Sequence, residues 1–254
     1  MTDERALSET LGFLFVFALI VSMAAIVYAT GFADLQHTRD FEHANNAERA
    51  FDVMGTNMED IAQRGAPSRG TEVQLENAEL YTADPAETNV TVADHDDPDS
   101  NDTISTSIEP IVYETEEHRV VYSSGAIFRA TGDSENMVRE PAFSISDDRV
   151  LMPMLRTYTS GGGEVSVGSQ AVLVRALSGH SDGIPTVIHA PADADSYDVH
   201  LTMETERAEL WADYFEEEGF DCSESDFDVD ELDCTKEDIE HVQITNVRIQ
   251  VVFE

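Results

Sequence analysis

An uninterrupted apolar run near the amino terminus constrains this chain more than any other feature. Residues 11–32 read LGFLFVFALIVSMAAIVYATGF and carry no charge over 22 positions. A helix of that length is about 33 Å long, and the hydrocarbon core of a bilayer is about 30 Å thick. The run is longer than the apolar part of a secretory signal peptide, and no small-x-small cleavage site follows it. It therefore predicts a transmembrane helix over 11–32 that stays in the mature protein.

The helical pattern continues beyond this run. Apolar residues recur at three- and four-residue steps as far as Gly65-Ala66-Pro67, which is a helix stop signal. The pattern predicts one long helix over 7–64, transmembrane over 11–32 and amphipathic afterwards. The apolar stripe of its second part consists of Leu35, Phe41, Ala44, Ala47, Phe51, Met54, Met58 and Ile61.

Acidic residues outnumber basic ones by 52 to 14, which gives a net charge of -38, and Lys236 is the only lysine. Such a charge favours disorder, but 41% of the residues are hydrophobic and they fall in strand-like patterns. In molar salt the screening length is about 3 Å, so exposed carboxylates repel one another weakly. The composition therefore indicates a folded protein of a salt-adapted organism. It excludes nucleic acid as an expected partner, because no basic patch is present to neutralise phosphates.

From residue 70 onward the sequence predicts strands joined by turns, several of which alternate apolar and polar residues as half-buried antiparallel strands do. The stretch 83–102 is rich in Asp, Asn and Pro and is expected to form an exposed loop or a poor edge strand. A turn is expected at Gly161-Gly162-Gly163. The predicted strands are 72–81, 103–114, 118–123, 126–130, 149–157, 164–167, 171–176, 198–205 and 242–253.

One late helix is predicted over 206–219, with Leu210, Trp211, Tyr214 and Phe215 on a face that covers the sheet. The fold class expected is α+β: a long N-terminal helix, transmembrane then amphipathic, packed on a mostly antiparallel β domain with one late helix. The domains expected are a possible leader over 1–6, the helix over 7–64 and a β-rich extracellular domain over 65–254.

Cys222 and Cys234 are the only cysteines. An isolated pair closing a short loop in an extracytoplasmic protein predicts a disulfide, with two free thiols as the alternative. Between them Asp226, Asp228 and Asp230 alternate, and alternating carboxylates can converge on a hard cation such as calcium. The segment lacks the glycine and the later glutamate of an EF-hand loop, so a solvated acidic surface is the competing interpretation.

Asn89-Val90-Thr91 and Asn101-Asp102-Thr103 are N-glycosylation sequons, and they fall in the predicted loop. Catalytic motifs, in contrast, do not appear in the sequence. The eight histidines are scattered and form no HExxH, and no Gly-x-Ser-x-Gly is found. We therefore expect a protein that is not an enzyme and has no resident cofactor, calcium excepted.

The start of the chain, Arg5-Ala6-Leu7-Ser8-Glu9-Thr10-Leu11-Gly12 directly before the apolar run, resembles the class III leader of archaeal type IV pilins. In that family a prepilin peptidase removes a short charged leader, and the matching cut lies between Ala6 and Leu7. Further blocks resemble an uncharacterised haloarchaeal pilin-like family with a β-rich outer domain. These blocks are Gly125-Ala126-Ile127-Phe128, residues 137–143 and Ala208-x-x-Trp211-Ala212-x-Tyr214-Phe215.

The resemblance implies a structural role. The chain would be a minor pilin-like subunit of a type IV pilus or related surface filament, acting in assembly or adhesion. Its partners would be the membrane, the prepilin peptidase and other pilin-like subunits, which it would contact through the N-terminal helix. The alternative is a monomeric, membrane-anchored extracellular protein that binds a ligand or a glycan. Either way, the expected location is the cell membrane, with a single pass and the C-terminal domain outside.

Overall fold

A computed structural model describes residues 3–75, 77–160, 165–168, 170–179, 186–188 and 194–254. Within these ranges, the side chains of residues 3–11, 29–40, 165–167, 186 and 188 lie outside the description. The chain divides into two units, Met1–His43 and Ala44–Glu254. The turn expected at 161–163 lies outside the described residues.

The first helix, α1 (Asp3–Arg64), begins in the first unit and ends in the second. The backbone leaves the helix at Gly65, whose φ of 66° lies in the left-handed region that glycine adopts without strain. The Ala66 N–H donates to the Asp60 carbonyl at 3.3 Å and closes this end. The helix therefore ends one residue before the Gly-Ala-Pro stop signal.

The second unit consists mainly of β-strands, with a further helix, α2 (Ala208–Glu217), and a 3-10 turn at Phe227–Val229. In chain order the strands are β1 (Ser68–Gln74), β2 (Glu79–Thr82), β3 (Ala86–Asp94), β4 (Asn101–Ile108), β5 (Ile111–Glu114), β6 (His118–Ser123), β7 (Ala126–Thr131), β8 (Ser134–Arg139), β9 (Ser144–Ile145), β10 (Arg149–Tyr158), β11 (Val165–Val167), β12 (Ala171–Ser178), β13 (Thr186–Ile188), β14 (Tyr197–Glu204), β15 (Glu231–Ile239) and β16 (His241–Phe253).

These strands form three sheets. Sheet A has the order β1-β12-β16-β10-β9, with β13 also paired to β16. Sheet B has the order β11-β2-β5-β6-β7-β8, and sheet C has the order β15-β14-β3-β4. All the described pairs are antiparallel except β10 with β16, which run parallel over the whole length of β10. Long connections separate the parallel strands, as parallel pairing requires.

Two apolar clusters fill the space between these layers. The first lies between the inner face of sheet C, α2, and one face of sheets A and B; Val90, Leu201 and Trp211 belong to it. The second contains the part of α1 from Ala47 to Ile61 and the other face of sheets A and B. Strands β5, β6 and β7 therefore contribute to both clusters, and this explains their continuous apolar sequence, since both of their faces are buried.

The predicted fold class is corrected by this architecture. Strands in three sheets dominate the fold, and only the part of α1 from Ala44 onward belongs to the β-rich unit, whereas Met1–His43 form a unit of their own. In the part of the chain that is described, no helix is both long and apolar enough to cross a membrane. This finding overturns the predicted transmembrane helix over 11–32 and the predicted single-pass membrane location.

Three local predictions also fail. The stretch 83–102 is not a loop, because it contains β3, which lies between β14 and β4 inside sheet C. The many Asp and Asn residues of this stretch led to the loop prediction. The inward-facing residues of β3 are Ala86, Thr88, Val90 and Val92, and all four are buried. The single strands expected over 72–81 and 103–114 are each two strands, β1 with β2 and β4 with β5, and the two members of each pair belong to different sheets.

Candidate functional site

The part of α1 from Gly12 to Tyr28, here called the apolar segment, exposes every one of its side chains. Its large apolar side chains range from 49% exposed at Val21 to 74% at Phe15. Because they follow one another along a helix, they cover all sides of it. An exposed apolar surface of this extent is able to pack against other apolar groups.

The predicted processing site directly precedes the apolar segment. Arg5, Ala6 and Leu7 lie within α1, but their side chains are outside the described residues. Cleavage between Ala6 and Leu7 stays a prediction.

From Ala44 onward α1 packs against the sheets of the second unit, to which this part of the helix belongs. Phe51, Met54 and Met58 are almost fully buried in the second apolar cluster. Two arginines of the β7–β8 hairpin add ion pairs to this packing. Arg129 Nη1 lies 2.6 Å from Glu48 Oε2, and Arg139 contacts two carboxylates of the helix.

The Arg139 guanidinium is the centre of this attachment. Its Nη1 donates to both Oδ1 and the backbone carbonyl of Asp52 at 2.7 Å, and its Nη2 donates to Glu59 Oε1 at 2.6 Å. A Cβ at Gly55 would lie 3.0 Å from Nη1, so the glycine lets the guanidinium approach the helix backbone. These contacts and the buried stripe fix the orientation of this part of the helix on its sheet.

A polar pocket of about 590 Å³ opens where β2, β6 and the start of α2 meet. Tyr81, Arg119 and Arg207 are among its lining residues. The Tyr81 hydroxyl donates to Glu114 at 2.6 Å, and Arg119 donates to the other oxygen of that carboxylate from Nε and Nη2. Arg207 is buried and donates to Glu135 at 2.7 Å.

Protonation states in the Tyr81 network are set by these contacts. Burial and the hydrogen bond to Glu114 raise the pKa of Tyr81 to about 12. Burial alone would raise the pKa of Glu114, but the hydrogen bonds from Tyr81 and Arg119 outweigh it and lower that pKa. These three groups therefore form a linked network that offers hydrogen bonds and fixed charge to the pocket.

The predicted disulfide is confirmed, since Cys222 and Cys234 are bonded to each other. Both cysteines are buried in the first apolar cluster. The bond ties the segment after α2 to β15, which pairs with β14 in sheet C.

The aspartates between the two cysteines shape a turn. The Asp226 carboxylate accepts from the Asp228 N–H at 3.2 Å and caps the 3-10 turn, and Asp230 ends it in the left-handed conformation. Among the described residues no group of three or more His, Cys, Asp or Glu side chains could hold a metal ion. Calcium binding by Asp226, Asp228 and Asp230 stays a prediction.

The two sequon asparagines lie on strands and not in a loop. Asn89 is exposed in the middle of β3, and Asn101 is exposed at the start of β4. The structure brings these two residues onto neighbouring strands of sheet C. The sequence did not predict that arrangement.

Sequence reasoning also missed the two arginines that hold α1. Basic residues are scarce in this chain, and Arg129 and Arg139 lie next to or within two of the blocks that carry the family resemblance. That scarcity was the available signal, because a largely buried arginine is rarely found without a carboxylate partner.

The fold and the apolar segment define a β-rich protein of three sheets whose first helix presents an exposed apolar surface. The chain belongs to a family of unknown function, DUF7289, whose sequence model matches residues 5–252. No curated protein and no solved structure matches the chain.

Proposed function

We propose that this protein is a pilin-like structural subunit that assembles into a surface filament through the apolar segment of α1. The observation that carries the proposal is that every residue from 12 to 28 is exposed. The leader-like sequence Arg5-Ala6-Leu7 directly before this segment supports the same function, because processing there would leave the apolar segment close to the new amino terminus.

The apolar segment offers a large driving force for assembly. Burying one Val, Leu, Ile, Phe or Met side chain stabilises a complex by about 1.5–3 kcal/mol. Twelve large apolar side chains between Phe13 and Tyr28 are exposed, so even partial burial against other copies supplies roughly 10 kcal/mol or more before the cost of association. Helices of neighbouring subunits can supply that burial by packing side chains of one helix between those of the next.

The acidic charge of the second unit also favours assembly through the apolar segment. Two copies, each of net charge -38, repel one another wherever salt does not screen them. Contacts through the uncharged apolar segment avoid this repulsion. The folded β-rich unit then decorates the filament and is free to serve adhesion or assembly.

Two valines allow a matched test of the proposal. Val16 lies in the apolar segment and is 58% exposed, and Val229 lies in the 3-10 turn and is 62% exposed. Val16→Asp places a charge in the proposed helix contact, whereas Val229→Asp makes the same chemical change on the far smaller apolar surface of the turn. The full-length variants are expressed in the native organism, and filaments are sheared from the cells and sedimented.

We expect the native chain and Val229→Asp in the sheared filament fraction, and at least a tenfold loss of Val16→Asp from it. Mass spectrometry of the filament form should find Leu7 as its first residue. Equal recovery of both variants, or a native chain that never enters the filament fraction, would contradict the proposed function.

A further inference from the structure

Sheet C turns a polar face away from the core. Val90 and Leu201 point inward, and the alternate residues of the same strands point outward. Ser105, Asn89, Thr202 and Asp233 are aligned in one row across all four strands on the outer face.

Both sequons of the chain lie on this outer face. Thr91 pairs with Thr103 across β3 and β4, and their hydroxyl oxygens are 2.8 Å apart. Asn89 and Asn101 share the face of these threonines, because residues two apart on a strand point the same way. Asn101 pairs with Ala93, four residues from Asn89, so the two asparagines are about 13 Å apart along the strands.

Each asparagine can carry a glycan without losing its main contact. An amide nitrogen has two hydrogens, and an N-linked sugar replaces one of them. The remaining hydrogen of Asn89 can keep the bond to the Thr202 hydroxyl, in which Asn89 Nδ2 lies 3.3 Å from Thr202 Oγ1. That of Asn101 can keep the 2.9 Å bond to the Pro98 carbonyl.

The surroundings fit a solvated sugar better than a protein partner. The aligned outward residues of sheet C include hydroxyls, amides, carboxylates and His200, but no lysine, arginine or aromatic residue. Protein interfaces are enriched in aromatic residues, methionine and arginine, which this face lacks. The Cys222–Cys234 disulfide is typical of proteins that mature outside the reducing cytosol, where N-glycans are attached.

We infer that Asn89 and Asn101 both carry N-linked glycans, and that together these make the outer face of sheet C a glycan-covered surface. The inference goes beyond the proposed function and does not depend on it. A glycan-covered face is closed to tight protein contacts, so any contact of the second unit with a partner uses another surface.

Glycopeptide mass spectrometry of the full-length protein from its native organism tests this inference. We expect a saccharide mass on the peptide containing Asn89 and on the peptide containing Asn101. Unmodified asparagine at either position throughout the sample would overturn the inference.

The sequon threonine provides a matched pair of variants. Thr103 is exposed, so Thr103→Val removes the sequon hydroxyl at little cost to the fold, and Thr103→Ser keeps it. We expect Thr103→Val to lose the glycan at Asn101 and keep the one at Asn89, and Thr103→Ser to keep both. A saccharide that remains on Asn101 in Thr103→Val would also overturn the inference. Because neither variant touches the apolar segment, this result is independent of filament assembly.

Discussion

Replacing Arg139 tests how α1 is held on its sheet. The Arg139 side chain is only 19% exposed and bonds to Asp52 and Glu59 of the helix. Arg139→Met keeps most of the apolar stem and removes the charge, so it isolates the ionic contribution. Arg64→Met is the matched control, because Arg64 is 75% exposed and its partner Asp60, one turn away on the same helix, keeps a second ion pair with Arg69.

The expected loss follows from the different exposure of the two carboxylates. A hydrogen bond to a charged group contributes about 1.5–3 kcal/mol, and an ion left buried without its partner costs more. Asp52 is largely exposed and recovers its hydration when Arg139 is removed. Glu59 is only 21% exposed and recovers little. We therefore expect Arg139→Met to lower the free energy of unfolding by about 2–3 kcal/mol, and Arg64→Met by at most about 0.5 kcal/mol.

Urea unfolding of the full-length chain measures both values. Trp211 is the only tryptophan and is buried in the first apolar cluster, so its fluorescence reports the unfolding of the second unit. The loss in Arg139→Met should persist in high salt, because its partly buried contacts are weakly screened, whereas any effect of Arg64→Met should vanish. Losses that agree within about 0.5 kcal/mol would refute the reasoning, since they would show that burial does not set the strength of these pairs.

Three further predictions concern the second unit. Replacing both Cys222 and Cys234 by serine should lower the free energy of unfolding by about 3 kcal/mol, because the bond restricts the unfolded chain; urea unfolding against the oxidised native chain measures the loss. Lys236 donates from Nζ to the Glu218 carbonyl at 2.7 Å at the end of α2, so Lys236→Met should cost about 1–2 kcal/mol in the same assay, and no loss would contradict a capping role. The hydrogen bond to Asp198, with the charge of that carboxylate, raises the pKa of His95 above its ordinary value. An NMR titration should find this raised pKa and its loss in Asp198→Asn; the pair stabilises the fold fully below about pH 6.5 and progressively less as the pH rises through the raised pKa.

Strand identity was predictable where one face of a strand is apolar and the other polar, or where both faces are buried. The run of β6 and the alternation of β14 are examples, and both appear close to their predicted positions. β3 escaped prediction because its outward residues are those of a loop, while its inward residues include Thr88. Turn-like residues on the solvent side of a strand look the same in sequence as a real turn.

The pairing of strands lay beyond local sequence. β3 pairs with β14, more than 100 residues away in the chain, and β10 runs parallel to β16 across a similarly long connection. No periodicity within either strand specifies such a partner, because register depends on which apolar faces meet in the core. The same limit hid the arginine contacts to α1, since Arg139 and Glu59 are separated by 80 residues.

The sequence by itself determined that residues 11–32 form an uncharged apolar run, that the chain is acidic, that strands dominate from residue 70 onward, and that two cysteines lie close enough in the chain to bond. These are properties of composition and short-range spacing, which a chain carries before it folds. Only the tertiary structure decided that α1 is divided between two units, that β3 lies between β14 and β4 in sheet C, and that Arg139 pairs with Glu59 of α1. Those results depend on contacts between distant segments, and burial of apolar surface selects them only when the whole chain packs.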